Sequence, residues 1–153
     1  MLASDAQMKK WFLFAVLLSL LGCDQPPKAG FTAKDLQQDW VLTKIDGRDL
    51  SQAESRSPIG LSLDSQFKAT GFSGCNQFMG LAELKNGNQF RITAFVSTKM
   101  ACIQNEIATI ESVVVSSLQQ WNTTALESNT LTLTTEQHVL TFVPEELHMP
   151  PAG

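Results

Sequence analysis

Across the body of this chain, apolar side chains recur at a period of two in several short runs, and one stretch breaks that period. Alternation over short runs predicts half-buried strands. Asp39 to Ile45 is strand-like and stops at Asp46-Gly47, a turn pair. Leu50 to Pro58 is polar and predicts a loop. Ile59, Leu61 and Leu63 then share one face, Asp64-Ser65 turns, and Phe67 to Phe72 follows as a strand. Phe78 to Leu84 and Gln89 to Phe95 flank Lys85-Asn86-Gly87-Asn88, a hairpin pattern. Thr130 to Thr135 and Gln137 to Val143 alternate again, with Glu136-Gln137 at the turn. The exception is Ile103, Ile107, Ile110, Val114 and Leu118, spaced by 4, 3, 4 and 4. That stripe predicts an amphipathic helix from about Asn105 to Gln120, with Asn105 as N-cap and Glu106 and Glu111 near the positive end of its dipole. The β-branched run Val113-Val114-Val115 lowers helix propensity, so a strand is the alternative there. The expected fold is α+β: a curled antiparallel sheet or partial β-barrel of about seven or eight short strands with one packed α-helix. A length of 153 residues supports one such domain.

The start of the chain reads as an address. Lys9 and Lys10 precede Trp11 to Leu21, apolar apart from Ser19, and then Gly22 and Cys23. A positive start, a short apolar core and a small residue before the cut are the layout of a secretory signal. The core is too short to span a bilayer, which takes about 20 apolar residues. Asp5 fits poorly in a region that should be positive, so Met8 is an alternative start to Met1. Leu20-Leu21-Gly22-Cys23 resembles the bacterial lipobox, in which the cysteine is diacylated and the peptide is cut before it. The expected organisation is a signal peptide over 1–22, a lipid-anchored tether over 23–35, a folded domain over 36–143 and a loose tail over 144–153. The tether contains Pro26-Pro27, which keeps it extended. Cys23 would attach the chain to the membrane of a bacterial envelope, facing the periplasm. Asp24 resembles an inner-membrane retention signal, which leaves inner or outer membrane open.

Charge and composition exclude some functions. The chain has 11 basic and 15 acidic residues, and the expected mature chain keeps 9 and 14, a formal charge of −5. Acidic balance argues against non-specific nucleic-acid binding. A hydrophobic share of 43% is too high for a disordered tail. With two distant histidines, no HxH or CxxC spacing and no tyrosine, no metal site, cofactor or catalytic residue is expected. Asp64 and Glu83 read as solvated charges, and Trp40 and Trp121 as core or rim aromatics. The domain is expected to be a monomer.

Cys75 and Cys102 remain once Cys23 is set aside. An even pair in an exported chain implies a disulfide, with two small buried side chains as the alternative. Cys75 lies in Gly71-Phe72-Ser73-Gly74-Cys75-Asn76-Gln77-Phe78-Met79-Gly80, where Gly71, Gly74, Asn76 and Gly80 suit a sharp turn between strands. The stretch lacks the Lys-Ser/Thr of a phosphate-binding loop. Cys75 as a nucleophile would need a basic partner, for which His138 is a candidate placed in an alternating strand.

Together these residues resemble the META domain family, whose members include heat-shock lipoproteins. The resemblance rests on Trp40-Val41-Leu42 with Ile45 and Gly47, the Gly71–Gly80 stretch around Gly74-Cys75-Asn76, the later Ser97-Thr98-Lys99-Met100-Ala101-Cys102, and the closing Leu131-Thr132-Leu133 and Leu140-Thr141-Phe142. It covers about Leu36 to Phe142. It implies a small α+β domain with a curled antiparallel sheet and one helix, exported and lipid-anchored, with Cys75 and Cys102 on the family's cysteine positions and Cys23 on its lipid site. It implies no enzymatic activity. The expected function is a non-catalytic envelope lipoprotein that supports stress tolerance by contacting another envelope component. The alternatives are a pilot-type chaperone holding an acyl chain or a partner helix in its barrel, and an enzyme using Cys75.

Overall fold

The structure, a computed structural model, describes residues 30–148 except Gln52 and Glu54. The expected signal peptide, Cys23, most of the tether and residues 149–153 lie outside the described residues. A 3-10 turn (Ala33–Leu36) leads into β1 (Asp39–Ile45), β2 (Arg48–Asp49), β3 (Gly60–Leu63), β4 (Lys68–Phe72), β5 (Gln77–Lys85) and β6 (Gln89–Ser97). Helix α1 (Asn105–Gln119) follows, then β7 (Asn122–Glu127), β8 (Thr130–Thr134), β9 (Val139–Pro144) and the short α2 (Glu145–His148). All strand pairings are antiparallel, in the order β2-β1-β3-β4-β5-β6-β7-β8-β9. Pairing of Trp40–Ile45 with Pro144–Leu140 closes eight strands into a barrel and leaves β2 as an appendage. The expected α+β fold, a curled antiparallel sheet or partial barrel with one packed helix, is the one the chain adopts, and its curl runs to closure.

Turn chemistry and bulges explain the closure. Asp46 and Gly47 both take positive φ (52° and 77°), as do Asn86 and Gly87 (53° and 77°), the primed geometry that fits the twist of hairpin strands. Ser128 and Asn129 do the same at 48° and 63° between β7 and β8 without a glycine. Register shifts at Leu42/Lys44 in β1 and opposite Met79/Leu81 in β6, where Ala94 has φ 48°, bend those strands.

Alternation fills the interior. Trp40, Leu61, Leu63, Phe78, Phe90, Ile92, Leu131, Leu133, Leu140 and Phe142 are all buried in one core. Burying each such side chain fully contributes about 1.5–3 kcal/mol. Trp40 keeps its indole N–H satisfied by donating to the Leu36 carbonyl at 3.0 Å. Ile107, Ile110, Val114 and Leu118 of α1 join the same core, so the 3.6-residue period reports a real buried stripe. Ile103 does not belong to it: it precedes the helix and is 96% exposed. The N-cap is Gln104, one residue before the expected Asn105. At the other end, buried Asn122 donates its amide to the Ser117 and Gln120 carbonyls at 2.8 and 2.9 Å, satisfying groups that the helix leaves open. β6 and β7 pair through two residue pairs, and α1 packs against β6.

Three expected boundaries move. The tether was expected to run to residue 35, but Ala33–Leu36 is already ordered and Leu36 is buried. The tail was expected from Pro144, but Pro144 is buried at the end of β9 opposite Trp40, and α2 packs on β1 and β9. Phe67 was expected in a strand and instead turns with φ 59° just before β4.

Candidate functional site

The Gly-Cys-Asn stretch forms the turn from β4 to β5. Gly74 takes φ 128°, a conformation that L side chains rarely adopt. Ser73 closes the turn, donating both its backbone N–H and its hydroxyl to the Asn76 carbonyl at 2.9 Å. Gly71 and Gly80 lie in the flanking strands, where they make room. A Cβ on Gly71 would come within 2.5 Å of the Phe78 ring, and one on Gly80 within 2.5 Å of Ile92 Cγ2.

Cys75 and Cys102 are joined as a disulfide, with Cα atoms 5.6 Å apart. It ties the β4–β5 turn to the segment that enters α1. Glu111, one and a half turns into the helix, completes the junction. Its Oε2 accepts the backbone N–H groups of Cys75 and Asn76 at 2.7 and 2.9 Å, and its Oε1 accepts Asn76 Nδ2 at 2.5 Å. Asn76 Oδ1 in turn accepts the Met100 N–H at 2.7 Å and the Thr98 hydroxyl at 2.8 Å. One carboxylate and one buried amide thus hold three segments in register. Arg56 Nη2 donates to the Cys75 carbonyl at 3.1 Å and reaches Met100 Sδ at 3.8 Å.

Glu111 entered the sequence reading only as a dipole charge. It sits four residues after Ile107 and three before Val114, inside the apolar stripe. An acid on the buried face of a helix was the available signal that it has a fixed partner.

The constellations weighed as catalytic are not brought together. Cys75 is bonded to Cys102, while His138 Nδ1 lies 2.8 Å from Asp46 Oδ2. That contact, and then the Val139 N–H bonded to the same carboxylate, hold the Asp46 carboxyl below the usual range. Asp64 accepts the backbone N–H groups of Gln66 and Lys68, and Glu83 pairs with Arg91 at 2.8 Å. Trp121 lies beneath the Arg91 guanidinium, 4.3 Å from its ring centroid. Cys75, Cys102 and Glu111 bring three potential metal donors within 4.8 Å of one another, but sulfurs bonded to each other offer no thiolate.

Beside the turn, a groove of about 980 Å³ crosses the outer face of the barrel. Strand register sets its floor. One row across the sheet is Asp39, Ser62, Thr70, Met79 and Val96, and the next is Val41, Gly60, Phe72 and Gln77. Met79, Val96 and Met100 are 50%, 57% and 51% exposed, an unusual density of large apolar side chains facing water. Arg56, Ser57, Pro58 and Glu145 of α2 also line it.

Architecture and site together define a small α+β barrel domain with a stapled turn and an external groove. The chain belongs to the META domain family, whose model matches residues 34–147. An NMR structure of a protein from Burkholderia xenovorans is similar at 30% identity and a TM-score of 0.59, over 71% of this chain and 81% of that one. A second NMR structure shares the fold at 24% identity and a TM-score of 0.66, over 78% of this chain and 99% of that one. A search of curated proteins finds no match. The META domain is not a known catalytic family, and a small barrel of this kind suits a binding or envelope-associated role. Among the described residues, no helix is long and apolar enough to cross a membrane.

Proposed function

We propose that the protein is a lipid-anchored envelope protein that works by binding another envelope component on its outer groove, and so supports stress tolerance. The observation that carries the reading is the groove itself: it is lined by β1, β3, β4, β5 and β6, exposes Met79, Val96 and Met100 to water, and lies beside a turn that a disulfide and Glu111 make rigid. Rigid surroundings lower the ordering cost of binding. The signal-like segment ending at Cys23 supports an envelope location. The barrel interior argues against the pilot-type alternative, because Trp40, Phe90, Leu140 and Phe142 fill the space that an acyl chain or helix would need.

The test is site-specific photo-crosslinking in intact cells. A photoreactive residue at Val96 should give a discrete adduct, and one at the exposed Gln119 should not. Equal labelling at both positions, or none at Val96, would count against a groove partner. Loss of the gene should reduce survival under envelope stress, and a wild-type copy should restore it.

A further inference from the structure

The β4–β5 turn gathers three donor side chains whose chemistry depends on the state of the disulfide. Cys75 Sγ, Cys102 Sγ and a carboxylate oxygen of Glu111 lie within 4.8 Å of one another. Glu111 Oε2 is 3.8 Å from Cys102 Sγ. Cys75 is buried, while Cys102 and Glu111 are half-buried, so the cluster is sheltered and still reached from solvent. Each donor comes from a different segment: the turn, the stretch entering α1, and α1 itself. Bonded to each other, the two sulfurs offer a cation no thiolate. Their sequence separation of 27 also lacks the close spacing by which zinc ligands are read from a sequence.

Independently of the groove, we propose that reduction of the Cys75–Cys102 disulfide turns these three side chains into a zinc site, with water in the fourth position. The step that opens it is thiol–disulfide exchange. A dithiol reductant attacks the disulfide and is oxidised to a disulfide itself, leaving the Cys75 and Cys102 sulfurs each with a proton. Zinc displaces both protons to water as the two Zn–S bonds form. The geometry suits this ion. Zn–S bonds of about 2.3 Å at a tetrahedral angle set two sulfurs about 3.8 Å apart. Side-chain rotation from Cα atoms 5.6 Å apart reaches that distance. Glu111 retains a position for the cation. A carboxylate has about four lone-pair sites, and the N–H groups of Cys75 and Asn76 with the Asn76 amide take three of them. Those bonds also orient the carboxylate, as outer partners do around a metal ligand. Two sulfurs and one carboxylate favour zinc over calcium or magnesium, which take mainly oxygen. Arg56, with Nη2 3.1 Å from the Cys75 carbonyl, offsets part of the negative charge of the ligands. The consequence is a staple that survives reduction, with zinc in place of the S–S bond between the turn and the entry to α1.

The experiment uses the full chain with Cys23→Ala, which leaves Cys75 and Cys102 as its thiols. The chain is reduced with a phosphine, freed of reductant without air, and given zinc or cobalt(II) alone. Expected are one zinc per reduced chain and none on the disulfide form. A thiolate-to-cobalt charge-transfer band and a zinc-dependent rise in Tm should appear in the reduced form only. Cys75→Ser should abolish the band. Glu111→Gln should weaken zinc binding at least about ten-fold, with circular dichroism checking that it folds. X-ray absorption at the zinc edge of the reduced chain counts the donors without altering Glu111, and should show two sulfurs and two lighter neighbours. Zinc bound equally by both redox forms, no zinc on the reduced chain, or a zinc shell without sulfur overturns the proposal. A folded Glu111→Gln chain that binds zinc as tightly as its parent overturns it as well.

Discussion

Glu111 and Asn76 set the shape of the β4–β5 turn more than the glycines around them do. A glycine permits a conformation, whereas a carboxylate that accepts three N–H groups enforces one. Glu111→Gln keeps the shape but replaces part of the acceptor with a donor facing other donors. It should cost about 1–3 kcal/mol, seen as a lower urea midpoint with unchanged slope. An unchanged midpoint would mean that the bonds to Cys75 and Asn76 contribute little. Asp46 gives a pH-dependent case. Its carboxyl is held low by His138 and then by the Val139 N–H, so the folded state favours the ionised form. That contribution is present above the unfolded carboxyl range and is lost as pH falls through the lower folded value. The stability difference between wild type and Asp46→Asn should therefore be present at pH 5 and shrink on further acidification. A difference that grows below pH 4 would contradict the assignment. Solvent exposure of this pair keeps the effect small.

Among elements, legibility followed how apolar the inward positions are. β3 and β8 announce themselves because Leu61 and Leu63, and Leu131 and Leu133, alternate with polar neighbours, while β1, β5 and β9 show through β-branched, aromatic and aliphatic runs such as Trp40-Val41-Leu42 and Val139-Leu140 bounded by turn residues. β7 carries no such signal. Its inward residues are Asn122 and Thr124, both buried, and its turn uses Ser128-Asn129 rather than a glycine. The site divides the same way. The disulfide pair and the Gly-Cys-Asn turn stand out as residue types, but the groove does not, because its rows are joined only by cross-strand register. Met79 and Val96, 17 residues apart, become neighbours through β5–β6 pairing. Two substitutions test the elements. Leu118→Ala removes a fully buried contact of α1 and should cost about 2–5 kcal/mol. Gly71→Ala places a methyl against the Phe78 ring and the Gly60 carbonyl and should cost about 1–3 kcal/mol, with helix content retained by circular dichroism. A neutral Gly71→Ala would show that β4 has slack the packing does not suggest.

At the scale of the whole molecule, a closed barrel, a stapled turn and a filled core make a stiff body whose proposed recognition surface lies outside. The disulfide closes a loop with a sequence separation of 27. Replacing Cys75 and Cys102 together by Ala should lower unfolding stability by about 3 kcal/mol on the chain-entropy account. A smaller loss would place most of the staple's work on Glu111. The proposed role needs this body on the membrane surface, and the most direct measurement is intact-mass spectrometry of the protein extracted from cell membranes. The account predicts a chain that begins at Cys23 and carries the added mass of its acyl groups. A chain that retains residues 9–22, or an unmodified Cys23 in the cytosolic fraction, would contradict it.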